Sequence, residues 1–152
     1  MRSISNALAG IAALVLTVLT LSAAELNPAA VTFTLPDKIE WKSLPEYAGV
    51  QFVNLVGDPS KPGLYIQLVK WLPGNMSRPH FHPNDRFITV LKGTWWVGTG
   101  TKYDPASTVP MPAGTFVTHF GKQVHYDGAK DEETVLQIVG DGPATITPAE
   151  EK

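Results

Sequence analysis

The chain has 152 residues with 43% apolar content, enough for one hydrophobic core and too little for two. Twelve basic residues against 14 acidic ones give a formal charge of −2, and no basic run is present, which argues against a nucleic-acid partner. Cysteine is absent, which excludes disulfides, a thiol nucleophile and a thiolate metal site, and leaves nitrogen and oxygen donors.

Residues 1–24 are a different material from the rest. Met1-Arg2 supplies a positive start, Ala7 to Leu21 is almost wholly apolar, and Ser22-Ala23-Ala24 offers small residues. These are the three parts of a secretory signal peptide cleaved after Ala24. The competing reading is an uncleaved anchor, for which the apolar run is short of the roughly twenty residues needed to span a bilayer. Cleavage removes Arg2, so the mature chain carries 11 − 14 = −3. A periplasmic or secreted protein with no membrane partner is expected.

Residues 25–49 read as a lead-in with a first strand, because 31–35 alternate apolar and polar side chains. Ser43-Leu-Pro-Glu46 resembles a capping box and predicts a short helical turn, limited by Pro45 and Gly49. Residues 50–56 and 64–72 read as strands separated by dense Gly/Pro turn chemistry, and Pro73-Gly74 closes the second.

The most informative stretch runs from Gly74 to Gly93. It places His80 and His82 two residues apart on extended chain, so both rings share a face while Phe81 points away. Two imidazoles side by side make half of a metal site. The other two histidines, His119 and His125, lie close together further on. Residues 86–91 and 94–97 read as a hairpin turning at Lys92-Gly93. Residues 98–112 form a long polar connection, whose Gly98-Thr-Gly100 is not followed by a helix and so predicts no phosphate loop. Residues 115–120, 124–127 and 134–139 read as strands, 130–133 as a solvated charged turn, and 148–152 as a flexible tail. Many short strands and no helical periodicity predict an all-β sandwich or barrel. Two successive hairpin pairs over residues 50–147 suit a jelly roll of two Greek keys. Trp95, Trp96, Phe81, Phe87, Phe116, Phe120 and Tyr126 are expected mostly to build the core.

These residues resemble the cupin superfamily, whose first motif is Gly-x5-His-x-His-x3-4-Glu-x6-Gly. Gly74, His80, His82 and Gly93 fall on its positions, and Arg86 stands where the glutamate belongs. The second motif, Gly-x5-Pro-x-Gly-x2-His-x3-Asn, is matched at Gly114 and His125. Phe120, Lys122 and Ala129 replace its Pro, Gly and Asn. The resemblance implies a jelly-roll β-barrel and a divalent ion (Fe, Mn, Ni, Cu or Zn) on His80, His82 and His125. It also implies a small-molecule ligand and, since cupins often associate through their sheets, a homodimer.

Arg86 cannot replace the glutamate as a ligand, because a guanidinium has no lone pair to give. Three arrangements stay open. The metal sits on three histidines alone; or His119 or Asp127 supplies a fourth donor; or the histidines hold no metal and act as acid/base or hydrogen-bonding groups. His119 also fits a structural role, and Asp127 beside Gly128 fits a turn. Arg86 is expected to pair with a carboxylate or to meet an anionic group of the substrate. Tyr126, Phe120 and Trp96 are candidates for an apolar pocket wall. The function expected is a metal-dependent cupin acting on a small molecule, as an oxygenase, hydrolase or isomerase. A non-catalytic binding protein for a metabolite or metal is the alternative.

Overall fold

The structure is a computed structural model that describes residues 24–152. The expected signal segment therefore lies, but for Ala24, outside the described residues. The chain divides into two units between Thr34 and Leu35. Of the first, residues 28–30 form a turn, with Ala30 and Val31 donating backbone N–H groups to the Asn27 carbonyl at 2.9 and 3.0 Å. Residues 31–35 are not a strand. Alternation alone does not make one, because an extended segment needs a ladder partner for its backbone groups.

The second unit is a two-sheet β structure. One sheet has the order β1 (Lys42–Ser43), β2 (Val50–Val56), β3 (Gly63–Trp71), β10 (Thr134–Gly142), β5 (Arg86–Lys92) and β8 (Phe116–His119). The other has the order β11 (Thr147–Pro148), β4 (His80–Phe81), β9 (His125–Gly128), β6 (Thr94–Thr99) and β7 (Val109–Pro112). All pairings are antiparallel, as a jelly roll requires.

The expected helical turn at residues 43–46 is instead the end of β1 followed by non-helical turns, and the helical turn of this region lies earlier, a 3-10 turn at Pro36–Lys38. The expected hairpin at Lys92-Gly93 is not one either, since β5 and β6 belong to different sheets. Gly93 takes φ +72, and a Cβ there would lie 2.4 Å from the Glu133 carbonyl oxygen. A glycine makes this sharp passage between layers possible. The polar connection after Thr99 carries a 3-10 turn at Pro105–Ser107 and then β7 on the edge of the second sheet.

The core fills the space between the sheets. Tyr65, Ile88, Val90, Leu136 and Ile138 come from the first sheet, Trp95 and Val97 from the second. Strand parity sorts the aromatics. Ile88 and Val90 turn inward, so Phe87 turns outward, and its ladder neighbour β8 turns Phe116 the same way. Phe87 and Phe116 stack on the outer face with ring centroids 6.5 Å apart, and Phe120 is 63% exposed. These three do not build the core.

The C-terminal residues are tied down. Pro148 pairs with His80, Ala149 donates to the Pro79 carbonyl, and Arg78 forms an ion pair with Glu150. The strand at Thr147–Pro148 closes one edge of the second sheet.

Candidate metal centre

Each functional side chain arrives by sheet register. In the second sheet His80 lies directly opposite His125, and β9 carries His125 and Asp127 on one face. His82 follows two residues after His80, just past the end of β4, with its ring on the same side. In the first sheet Arg86 lies directly opposite His119. Arg86 has the parity of Ile88, so it points into the barrel toward the histidines.

The four rings form one buried cluster, each histidine no more than 8% exposed. Ring centroids are 4.6 Å apart for His80 and His125, 5.0 Å for His80 and His82, 5.5 Å for His82 and His125, and 3.9 Å for His119 and His125. Nitrogen donors of His80, His82 and His125 all lie within 4.8 Å of one another, as do donors of His119, His125 and Asp127.

Backbone carbonyls set the tautomers. His80 Nδ1 lies 2.8 Å from the Arg78 oxygen, His82 Nδ1 3.0 Å from the Thr145 oxygen, and His125 Nδ1 3.1 Å from the Gln123 oxygen. A carbonyl can only accept, so each Nδ1 carries the proton and each neutral ring turns an Nε2 lone pair inward. His80 Nε2 and His82 Nε2 then meet at 3.2 Å. Burial, followed by the Arg86 charge, pulls His82 down to about 2, so the His82 ring is neutral at neutral pH. Burial likewise lowers His125 to about 4, against the pull of Asp127, and lowers His119 further. Three converging Nε2 atoms whose Nδ1 protons are held by backbone carbonyls fit a cation with nitrogen preference.

Arg86 is the exception to that fit. Among the described residues it forms no ion pair with a carboxylate within 4.0 Å. Its Nη2 donates instead toward His119 Nδ1 at 3.2 Å and His125 Nε2 at 3.4 Å. Burial lowers its pKa, opposed by the charge of Asp127, and a guanidinium stays cationic at neutral pH. An ion bound about 2 Å from His125 Nε2 would lie within about 6 Å of Nη2 as placed. At an effective dielectric of about 20 the repulsion is on the order of 6 kcal/mol. Three nearby polar atoms are buried without a hydrogen-bond partner: Arg86 Nε, His119 Nε2 and Asp127 Oδ2.

The expected pocket wall is corrected by parity. Tyr126 and Trp96 lie on the sheet face opposite to His125 and Asp127. The Tyr126 hydroxyl donates to the Asp104 carbonyl, and Lys130 sits over the Trp96 ring at 3.8 Å. The site-side residue is Trp95, whose ring centroid lies 5.2 Å from His119 and whose Nε1 donates to Asp127 Oδ1 at 3.2 Å. The parity of β6 was the signal that could have found it. Tyr65 was also missed. Across Gly140 it shares a ladder row with Arg86, and a Cβ at Gly140 would lie 2.7 Å from the Tyr65 hydroxyl oxygen. The missing side chain is what lets the tyrosine ring lie toward the arginine.

An open groove of about 650 Å³ includes none of the histidines; Leu64, Asp85, Phe87, Lys122 and Asp141 are among its walls. Beside it, Lys122 stands at the glycine position of the second motif and keeps a glycine-like φ of 63, donating its N–H to the His82 carbonyl at 2.7 Å.

Comparison with known proteins supports the same assignment. RemF, a polyketide cyclase from Streptomyces resistomycificus, superposes with a TM-score of 0.66 at 13% identity, covering 80% of this chain and 87% of its own. A cupin-2 domain protein from Rhodospirillum rubrum gives 0.59 at 16% identity, covering 80% of each chain. KdgF from a Halomonas species gives 0.55 at 18% identity, covering 73% of this chain and 95% of its own. At these identities the likeness is one of fold. No curated protein sequence matches the chain. The family model described as the ChrR cupin-like domain matches residues 30–145, and the chain belongs to that family of cupins.

Proposed function

We propose that this is an exported cupin protein that binds a divalent metal through His80, His82 and His125 and acts on a small molecule carrying an anionic group. The observation behind the metal is the convergence of three Nε2 atoms whose Nδ1 protons are each held by a backbone carbonyl. Fe, Mn, Ni, Cu and Zn all accept such a nitrogen set. An ion on three nitrogens with open positions would supply Lewis-acid polarisation of a substrate oxygen. The chain's own residues do the rest. Arg86 offers N–H donors to an anionic group, and burial keeps the His82 and His125 rings neutral at neutral pH. Export rests on the pattern of residues 1–24.

A second reading, a non-catalytic periplasmic protein that holds a metabolite or metal, is favoured by the contact of Arg86 with His119 and His125. That contact gives the cluster a cation of its own. Elemental analysis of protein purified without added ions separates the two. The metal reading expects a bound transition metal in the wild type and none in His80→Ala/His82→Ala, with the barrel's circular dichroism retained. Equal metal content in both proteins would remove the proposed site. A wild type free of metal that still binds small anions would support the second reading.

A further inference from the structure

Arg86 and His119 lie opposite each other in one ladder and share a contact at 3.2 Å. A guanidinium only donates, so His119 Nδ1 is the acceptor and His119 Nε2 must carry the ring proton. That proton faces no partner, and neither does the one on Arg86 Nε. Two buried N–H donors, one on a permanent cation, thus lack a hydrogen-bond acceptor, while Asp127 keeps an unpartnered Oδ2 in the same cluster. Across the interior three imidazoles offer lone pairs to a dication. Arg86 is half-buried along its length, although Nε itself is sealed. A dication and the guanidinium repel each other at this range, and both would approach the His125 Nε2 lone pair. A carboxylate placed between them accepts from the free donors and lowers that repulsion.

We propose that Arg86 and His119 form the seat of a small carboxylate or similar oxyanion. This anion and a divalent ion on His80, His82 and His125 then bind cooperatively, each raising the affinity for the other. The inference rests on the metal reading above and adds to it a partner that the metal needs. It also assigns a reason for the arginine at a ligand position: the charge that a resident glutamate would supply arrives with the ligand instead.

Calorimetric titration of the purified chain with zinc, and separately with acetate, tests this. Ionic strength is held constant with a bulky sulfonate buffer. Saturating acetate is expected to tighten zinc binding at least tenfold, and zinc to tighten acetate binding by the same factor, as linkage demands. In Arg86→Gln, zinc is expected to bind more tightly than in the wild type without acetate, and acetate to change it less than twofold. Zinc binding that is independent of acetate in the wild type overturns this inference and leaves the metal site standing. Equal coupling in wild type and Arg86→Gln overturns the assignment of the seat. No zinc binding under either condition removes the metal reading and this inference together. The wild-type measurements decide the cooperativity even if the variant does not fold.

Discussion

Arg86 and Ile88 sit two residues apart on β5, both turned into the barrel, and they meet opposite surroundings. Ile88 is fully buried among Val90, Trp95, Leu136 and Ile138. Arg86 faces histidines, and its Nε finds no acceptor. The same inward row therefore passes from core to site within two residues. One end gains stability by burying apolar surface. The other gives some up, because each buried polar group left unpaired costs about 1–3 kcal/mol. Stability and chemistry are divided along the barrel interior, and this division can be tested from both ends.

The largest effect is expected at the apolar end. Ile88→Ala should lower the unfolding free energy by about 4 kcal/mol in a urea titration, through lost burial and a cavity that the sheets cannot close. A loss below about 1 kcal/mol would show that stability is held elsewhere. At the polar end, Arg86→Glu replaces a repelling cation with a ligating carboxylate. It should tighten divalent-metal binding at least a hundredfold, about 3 kcal/mol by calorimetry. An unchanged affinity would place Arg86 outside the metal's field.

The histidines give the next effect. The folded values of His82, His119 and His125 lie below 6.5, their ordinary value, so below pH 6.5 these three groups bind more protons in the unfolded chain than in the folded one. Stability of the metal-free protein should be flat above that pH and fall as the pH drops below it. His125, at about 4, contributes a loss of about 2 kcal/mol at pH 5, and His82 and His119 add in the same direction. Urea midpoints at pH 7.5 and pH 5 check this, and equal midpoints would mean that the rings are solvated. The smallest effect belongs outside the barrel. Phe116, 64% exposed, should tolerate Thr within about 0.5 kcal/mol by calorimetric unfolding.

Much of the fold was legible because strands carry a two-residue period. The runs at 50–56, 64–72 and 134–139 fall on β2, β3 and β10 within a few residues at their ends. Residues 31–35 and the Lys92-Gly93 hairpin misled for one shared reason. Local pattern says that a segment suits a ladder, while the choice of partner strand is a long-range contact. The site divides in the same way. The His-x-His spacing shows that two rings share a side, and the rings do meet at 3.2 Å. The choice of Trp96 and Tyr126 over Trp95 failed because the inward parity of β6 and β9 is fixed by the second sheet's register.

The sequence by itself determined an all-β chain of one core, free of thiol chemistry, with its imidazoles concentrated in two segments. Composition and period suffice for that, because they limit what can be buried and which side chains share a face. Only the tertiary structure decided that Arg86 enters the histidine cluster rather than pairing with a carboxylate, and that three buried polar atoms there stay unpartnered. Those outcomes depend on which strands become neighbours, since β5 meets β8 within one sheet and Arg86 of β5 reaches His125 of β9 in the other. No local property of the residues 86–92 carries that information.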